Sequence, residues 1–162
     1  MMTLNKENFV EKEISSAGVI VYMPTLEGSR FLLLHYGHNY WTFPRGKIEK
    51  GEESFDTALR ETMEETGLVK ADLIFFDNFK TQENWIFMKN GRKVHRVIIF
   101  YLAQTQKRNI KISDEHLGFG WFTFREAQKI FQGDKHSENR KVIRQAFNFI
   151  GGKNKKEEHK TT

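Results

Sequence analysis

The 162-residue sequence contains no cysteine and only two prolines. The absence of cysteine excludes disulfide bonds, metal sites built on thiolates and a cysteine nucleophile. The sequence also lacks a run of eighteen apolar residues, so it predicts no transmembrane helix. Residues 1–7 contain no apolar segment of the kind found in signal peptides, and we therefore expect a cytoplasmic protein. The length favours one domain, which we place at residues 1–150.

Charge of one sign does not dominate the sequence, since 26 Lys and Arg residues face 21 Asp and Glu residues, for a net charge of +5. Residues 151–162 begin with glycine and are rich in lysine, and we expect them to form a disordered tail. The rest of the chain carries a small excess of Lys and Arg residues. If these residues lie near a site, they favour a polyanionic substrate. The excess does not by itself indicate binding to duplex nucleic acid.

The most informative pattern lies in residues 46–68, where a glycine-containing loop precedes an acidic segment. Glu61, Glu64 and Glu65 are spaced three and four residues apart, so a helix would place their carboxylates on one side. Carboxylate oxygens are the ligands that suit Mg²⁺ or Mn²⁺, and these ions in turn bind substrate phosphates. The segment therefore predicts a metal-dependent hydrolase of a phosphate-rich substrate.

The same segment resembles the Nudix box, G-x5-E-x7-R-E-U-x-E-E-x-G-U, in which U is a bulky aliphatic residue. Only Thr62, at the first U, departs from the pattern. The fixed positions that match are Gly46, Glu52, Arg60, Glu61, Glu64, Glu65 and Gly67. A merely solvated acidic helix would not need these glycines at set distances. The resemblance implies an α+β fold with a mixed β-sheet sandwiched between α-helices.

The resemblance also implies roles for residues of this segment. The metal contacts would be the carbonyl of Gly46 and the carboxylates of Glu61, Glu64 and Glu65. The opposite charges of Glu52 and Arg60 predict an ion pair that holds the loop on the helix. The candidate catalytic residues are thus Glu52, Arg60, Glu61, Glu64 and Glu65, and the spacing leaves open which glutamate is the base.

The remaining chain predicts several strands and a few helices. Apolar or hairpin-flanking runs predict strands at residues 17–23, 31–36, 40–43, 73–79, 82–89, 92–103 and 120–123. Helices are predicted at residues 53–66, 124–131 and 137–150. Ser54 is the candidate N-cap of the first helix, and Gly67 the candidate left-handed residue at its end.

Outside the box, four segments resemble the asymmetric bis(5′-nucleosyl)-tetraphosphatases, which hydrolyse diadenosine tetraphosphate. They are S-A-G-V-I at 16–20, F-L-L-L at 31–34, W-T-F-P-R-G at 41–46, and E-H at 115–116 followed by W-F at 121–122. Asp114 stands where that family often has a histidine. By position, Glu115 corresponds to a remote metal-binding glutamate, and Arg96 to a basic residue that contacts phosphate.

Further residues are candidates for binding substrate. Arg45 precedes the glycine of the box, and its guanidinium could bind a phosphate through two hydrogen bonds. Neighbouring residues of a strand point to opposite faces, so we expect Arg96 rather than His95 to face the substrate. The aromatic residues that could stack on adenine are Tyr40, Trp41, Trp85 and Phe87.

The leading functional prediction is Mg²⁺-dependent hydrolysis of diadenosine tetraphosphate to ATP and AMP, with Mn²⁺ as a possible substitute. One alternative is a pyrophosphohydrolase of nucleoside triphosphates or of the RNA 5′ end, because residues 43–48 also resemble RNA-processing Nudix enzymes. Another is a non-catalytic nucleotide-sensing module, although the three intact glutamates count against it. The expected partner is a nucleotide and not a membrane, and the sequence does not predict an oligomeric state.

Overall fold

The computed structural model describes residues 10–160, so the expectations for residues 1–9, 161 and 162 lie outside it. The described residues form seven strands and three α-helices. The strands are β1 (Glu11–Thr25), β2 (Gly28–Gly37), β3 (Tyr40–Thr42), β4 (Arg45–Lys47), β5 (Ile74–Lys89), β6 (Arg92–Gln104) and β7 (Gly118–Phe122). The helices are α1 (Ser54–Thr66), α2 (Phe124–Ile130) and α3 (Ser137–Lys160).

The strands form one mixed sheet in the order β3-β2-β1-β6-β5, while β4 pairs with β1 and β7 pairs with β2. The β1–β6 pair is parallel, and the other pairs are antiparallel. Because β1 is central, its middle residues 16–18 pair with β4 on one side and with β6 on the other. The strand order therefore brings the loop of the Nudix box next to the β5–β6 hairpin.

The sheet has a helix layer on each face, which explains the continuous apolar runs in β1 and β2. Ile20 and Leu33 point into a core that includes residues of α2 and α3. Val19 and Leu32 point to the opposite face, into a core that includes Ala58 of α1. A strand covered on both faces needs apolar residues at every position rather than at alternate ones. This arrangement confirms the predicted α+β fold with a sheet between helices.

Strand β4 was not predicted as a strand, because its three residues have no apolar pattern. It forms because the backbone of β1 can approach it very closely at Gly18. A Cβ at Gly18 would overlap the carbonyl oxygen of Pro44 and the Cβ of Arg45. Gly18 pairs with Arg45 and Ala17 with Gly46. The close pairing fixes the position of the box loop against the sheet.

The predicted strands at 73–79 and 82–89 are one strand, β5, with a register shift between Phe75 and Lys80. The hairpin to β6 turns at Asn90 and Gly91, whose φ angles of 50° and 72° fit the predicted Asn-Gly turn. The shift keeps both halves of β5 paired with β6 although the chain contains extra residues between them.

Helix α1 ends as predicted, but it begins differently. Gly67 has φ 74°, and its N–H donates to the Met63 carbonyl. The prediction that Ser54 is the N-cap was wrong, because the N-cap is Glu53 and makes no side-chain cap bond. The Ser54 hydroxyl instead lies 2.7 Å from the Tyr101 hydroxyl. This contact attaches the first turn of α1 to β6.

Helix α3 continues to Lys160, whereas the sequence analysis expects a disordered tail after residue 150. Two glycines follow Ile150 and favour an end there, but a later residue contacts the sheet. The Lys153 ammonium lies 4.0 Å from the centroid of the Phe76 ring and 5.7 Å from that of Phe149. These cation–π contacts favour continuation of the helix. No helix within residues 10–160 combines the length and apolar character needed to cross a membrane.

Candidate active site

Three carboxylates of α1, which we call the acidic cluster, face the loop that precedes the helix: Glu61, Glu64 and Glu65. Their exposure differs, because the side chain of Glu64 is 53% exposed and that of Glu65 only 6%. Gly46 of β4 lies directly against the cluster, and a Cβ there would overlap the Glu61 carboxylate. The glycine of the box is therefore required for the close approach of β4 to α1.

Arg60 holds the box loop on α1, and it also contacts two members of the acidic cluster. Its Nε and Nη2 donate to the two Glu52 oxygens at 2.8 and 3.0 Å, and Nη2 also donates to the Lys47 carbonyl at 3.0 Å. Its Nη1 lies 2.9 Å from Glu61 and 3.4 Å from Glu64. The Arg60 hydrogen bonds lower the pKa of Glu52 to about 2. The predicted ion pair between the loop and the helix is thus present.

Glu65 is enclosed by residues from three other parts of the chain. Its Oε2 accepts the backbone N–H of Arg45 at 3.2 Å, and its Oε1 accepts the Tyr36 hydroxyl at 3.3 Å. His116 lies behind it, with Nε2 3.9 Å from Glu65 Oε2, and its Nδ1 contacts the Ser113 hydroxyl at 2.9 Å. Within residues 10–160, His116 Nε2 is buried without a hydrogen-bond partner.

The acidic cluster holds more negative charge than the neighbouring cations neutralise. Burial, with a further contribution from the charge of Glu61, raises the pKa of Glu65 to about 8. Burial also raises the pKa of Glu61, with smaller contributions from Glu64 and Glu115. Glu115 is exposed, yet its charge acts on both residues. The charge of Glu115 therefore adds to that of the acidic cluster, and its role as a remote metal ligand stays a prediction.

The donor chemistry at this cluster fits a divalent cation such as Mg²⁺. The carboxylates of the cluster and the neighbouring backbone carbonyls supply oxygen donors, which are hard ligands. A bound cation would also stabilise the ionised carboxylates, whose pKa values are raised first by burial and further by neighbouring negative charges. In the part of the chain that the structure describes, no three acidic or imidazole side chains already converge as a complete ion site. The fit thus rests on the oxygen donors and on the charge excess.

A cleft of about 720 Å³ adjoins the acidic cluster, on the side of β4 and the β5–β6 hairpin. This volume is within the range of small-molecule sites. The cations that line the cleft are Arg45, Lys47, Lys89, Arg96 and Lys135. Its aromatic lining residues are Tyr40, Trp85 and Phe87, and its two acids are Glu13 and Glu83. The cleft therefore combines positive charge with flat apolar rings.

Arg45 connects the cleft to the acidic cluster. Its backbone N–H binds Glu65, while its Nη2 donates to the Tyr40 hydroxyl at 2.7 Å. Arg96 also lies in the cleft, where its guanidinium stacks 4.6 Å from the centroid of the Phe87 ring. His95 lies on the other face of β6 and contacts Asn84 at 2.9 Å. The structure therefore brings Arg45 and Arg96 into one space and leaves His95 outside it.

The structure does not bring Trp41 into the cleft. Its ring stacks on His35 with 4.5 Å between centroids, meets Phe122 edge-on at 5.3 Å, and packs against the core on the α2–α3 side. Trp85 packs against the same core, but unlike Trp41 it also lines the cleft. Neighbouring residues of a strand face opposite sides, so Tyr40 and Trp41 cannot both line the cleft. Tyr40, Trp85 and Phe87 remain as the aromatic candidates for base stacking.

Three further residues that the sequence does not predict for the site also line the cleft: Glu83, Lys135 and Asn139. Glu83 is fully buried, and burial raises its pKa while the charge of Arg45 opposes the shift. A signal for Glu83 was present, because it shares one face of β5 with Trp85 and Phe87 at two-residue spacing. No comparable pattern marks Lys135 or Asn139, which reach the cleft through the packing of α3 on β5.

Comparison with known proteins places this site in a family. The model of the NUDIX domain matches residues 13–146. The chain belongs to the Nudix hydrolase family. Two similar curated proteins are bis(5′-nucleosyl)-tetraphosphatases (asymmetrical). The Mus musculus protein is 32% identical over 129 residues, 74% of this chain and 85% of its own. The Sus scrofa protein is 27% identical over 147 residues, 85% of this chain and 95% of its own.

A solved structure of an Ap4A hydrolase from C. elegans, in a binary complex, resembles this Nudix hydrolase with a TM-score of 0.73. It is 25% identical, and the match covers 88% of this chain and 99% of that chain. The similarity therefore extends over nearly the whole fold and is not restricted to the Nudix box. Nudix hydrolases generally use divalent metal ions, which agrees with the oxygen donors of the acidic cluster.

Proposed function

We propose that this Nudix hydrolase splits diadenosine tetraphosphate into ATP and AMP, with Mg²⁺ as cofactor and Mn²⁺ as a substitute. The observation that carries the proposal is the continuity between the acidic cluster and the cationic, aromatic cleft. Arg45 joins the two, because its backbone contacts Glu65 and its side chain lines the cleft. The names of the Mus musculus and C. elegans relatives support the same substrate.

The acidic side of the site would supply the metal ligands. Glu61, Glu64, Glu65 and the Gly46 carbonyl would hold the ion, with Glu115 as a more distant ligand. When bound, Mg²⁺ supplies positive charge to phosphate oxygens and lowers the pKa of a bound water. Arg60 positions Glu61 and Glu64 through its Nη1, while Glu52 fixes Arg60 itself. These residues therefore keep the carboxylates in place before the substrate arrives.

The cationic side of the site would bind the phosphates away from the point of cleavage. A tetraphosphate bridge carries about one negative charge per phosphate. Arg45 lies nearest the acidic cluster, and Arg96 lies further along the cleft beside Phe87. Guanidinium groups at two positions suit a chain of phosphates better than a single one, because each can donate two hydrogen bonds to a different phosphate. Lys47, Lys89 and Lys135 add positive charge around them.

The aromatic residues of the cleft would hold an adenine base. Trp85 and Phe87 lie on one face of β5, and Tyr40 reaches the cleft from β3. Stacking of a base on an aromatic side chain contributes about 1–3 kcal/mol. A base fixed in the cleft would determine which phosphate lies at the acidic cluster. Cleavage would then occur at one position and give unequal products.

The RNA 5′ end is the substrate that competes with this proposal. At Lys89 the cleft adjoins a second depression, which is lined by Glu11, Glu13, Lys89, Asn90, Arg92 and Val94. A longer nucleotide chain could continue into this depression. The second depression has two acids beside its two cations, so it is less favourable for phosphate than the cleft itself.

A substrate panel tests the proposal. Purified protein with Mg²⁺ is assayed on diadenosine tetraphosphate, ATP and 5′-triphosphorylated RNA, and products are identified by chromatography. We expect ATP and AMP from the dinucleotide as the fastest reaction, and no reaction in the presence of a chelator. Rapid pyrophosphate release from the RNA, with negligible turnover of the dinucleotide, would instead establish RNA processing.

A further inference from the structure

Glu83 is a fully buried carboxylate that the proposed reaction does not use. Its two oxygens accept hydrogen bonds from neutral donors. Asn139 Nδ2 donates to Oε1 at 2.6 Å, and Trp85 Nε1 donates to Oε2 at 3.0 Å. Burying a carboxylate costs free energy that an apolar residue of similar size would not cost. A glutamate here is therefore a poor choice for stability alone, but a specific acceptor for these two donors.

The bond to Glu83 orients the ring of Trp85. Glu83 and Trp85 are two residues apart on β5, so both face the cleft. The indole has a single N–H, and one hydrogen bond from it fixes which edge of the ring turns towards Glu83. Trp85 both lines the cleft and packs against the core on the α2–α3 side, so this bond holds the ring between the two. Without this bond, a half-buried Trp85 would have other ring orientations available.

Asn139 connects this bond to the opposite wall of the cleft. Because its amide NH₂ donates to Glu83, its Oδ1 is the acceptor for His136 Nδ1, 3.2 Å away. The His136 ring stacks on Tyr40 with 6.2 Å between centroids and an interplanar angle of 28°. A continuous series of contacts thus leads from Trp85 on β5, through the start of α3, to Tyr40 on β3.

We propose that Glu83 and Asn139 are positioning residues that hold Trp85 in the orientation in which it stacks on a nucleotide base. This inference rests on the base-binding part of the proposed function. The inference adds that the affinity for the nucleotide base depends on Glu83 and Asn139, two buried residues that need not touch the nucleotide. It also predicts that the direction of the Glu83–Asn139 hydrogen bond can be reversed without loss of binding.

Binding of AMP in the presence of a chelator, measured by calorimetry, tests this role without requiring catalysis. In Glu83→Gln, one carboxylate oxygen becomes an NH₂ group, so one of the two donors loses its acceptor. We expect AMP to bind about tenfold more weakly, in keeping with the loss of a base–aromatic stack. In the double variant Glu83→Gln, Asn139→Asp, the glutamine can donate to the aspartate and still accept from Trp85. We expect this variant to bind AMP within about twofold of the wild type.

Two further variants make the test specific. Trp85→Phe keeps a ring but removes the N–H, so adding Glu83→Gln to it should cause no further loss of AMP binding. Glu53→Gln changes an exposed glutamate outside the cleft and should bind AMP like the wild type. Equal AMP affinity in Glu83→Gln and wild type would overturn the proposal. A tenfold loss of AMP affinity when Glu83→Gln is added to Trp85→Phe would also overturn it. The same holds if the double variant Glu83→Gln, Asn139→Asp does not restore AMP affinity.

Hydrogen exchange of the indole N–H groups in the wild-type protein gives a test that does not depend on measuring AMP binding. The signal that Trp85→Phe removes should exchange with solvent slowly, since the group donates to a buried acceptor. Exchange as fast as that of a free indole would overturn the positioning role.

The binding and cleavage measurements together distinguish this proposal from the proposed function. If AMP binding depends on Glu83 but diadenosine tetraphosphate is not cleaved, only the proposed reaction fails.

Discussion

The acidic cluster and the cleft lie side by side but are opposite in charge and in origin. The acidic cluster comes from little more than one turn of α1, and Arg60 contacts two of its carboxylates. The cleft has five Lys or Arg side chains and three aromatic rings, and these come from β3, β4, β5, β6 and the segment before α3. The first region is suited to holding a cation, and the second to holding a polyanion with bases.

The difference shows how one site can separate chemistry from recognition. Changes in the acidic cluster should alter the rate of cleavage for every substrate. Changes in the cleft should alter which substrates bind, and how tightly. Arg45 is the exception, because its main chain binds Glu65 and its side chain belongs to the cleft. Substitutions in each region can therefore confirm or break this division.

The largest effect is expected for Glu65→Gln. The substitution keeps the shape of the side chain but replaces a buried carboxyl, between Arg45, Tyr36 and His116, with an amide that cannot ionise to bind the metal ion. We expect kcat to fall on the order of 10³-fold, comparable to the loss of one strong electrostatic contact to a transition state. Glu64→Gln should lower kcat in the same way. Steady-state assays with Mg²⁺ measure this, and Glu53→Gln is the matched control. Near-normal turnover in both cluster variants would exclude α1 as the metal site.

Gly46→Ala should damage the same region without changing a charge. The added Cβ would overlap the Glu61 carboxylate, so Glu61 must move from its place beside Arg60. We expect the Mg²⁺ concentration for half-maximal activity to rise by about 10–100-fold, as for other changes that misorient a metal ligand. Gly118→Ala is the control, since no atom lies within 4 Å of a Cβ there. An unchanged Mg²⁺ dependence in Gly46→Ala would show that Glu61 does not hold the ion.

Arg45→Ala and Arg96→Ala test the cationic side of the comparison. A charge-assisted contact to phosphate contributes about 1.5–3 kcal/mol, so each variant should bind diadenosine tetraphosphate about 10–100-fold more weakly. AMP should lose much less affinity, because it has one phosphate to contact instead of four. Calorimetry with both ligands gives the ratio. If the two ligands lose equal affinity, these arginines do not bind the polyphosphate bridge.

The smallest change in catalysis is expected for Trp85→Ala. Trp41→Ala is the matched comparison, because Trp41 packs against the core and does not line the cleft. Loss of a stacked base should raise KM about tenfold and lower kcat less. Trp41 packs on His35 and Phe122, so its removal should lower the free energy of unfolding by about 3 kcal/mol. Kinetics and thermal unfolding of both variants separate these effects. A higher KM for Trp41→Ala than for Trp85→Ala would reverse the assignment of the base-binding residue.

The two regions also differ in how far the sequence predicts them. The acidic cluster lies within the 23 residues of the Nudix box, and helical periodicity alone brings Glu61, Glu64 and Glu65 to one side. The cleft depends on contacts between distant parts of the chain. Glu83 could have been found from its two-residue spacing with Trp85. Asn139 and Lys135 could not, because only the packing of α3 on β5 brings them there.

Local backbone geometry accounts for other differences between prediction and structure. Strand β4 forms because Gly18 permits a close approach that no apolar pattern signals. Tyr40 and Trp41 were both candidates, yet adjacent residues of β3 must face opposite sides. The turn before β3 determines which one faces the cleft, and His38 and Asn39 adopt positive φ angles there, of 47° and 61°. His and Asn are among the non-glycine residues that take such angles most often, so the sequence favours a turn here but does not reveal which face of β3 it turns towards the cleft.

Cleavage of diadenosine tetraphosphate in ¹⁸O-labelled water tests the central claim most directly, that the cleft fixes the phosphate at which the acidic cluster delivers water. Mass spectrometry of the products gives the position of the label. The structure predicts ATP and AMP as the products, with all of the label in one of the two. Label divided between ATP and AMP would contradict a single fixed point of attack, and labelled ADP would contradict attack at the predicted position.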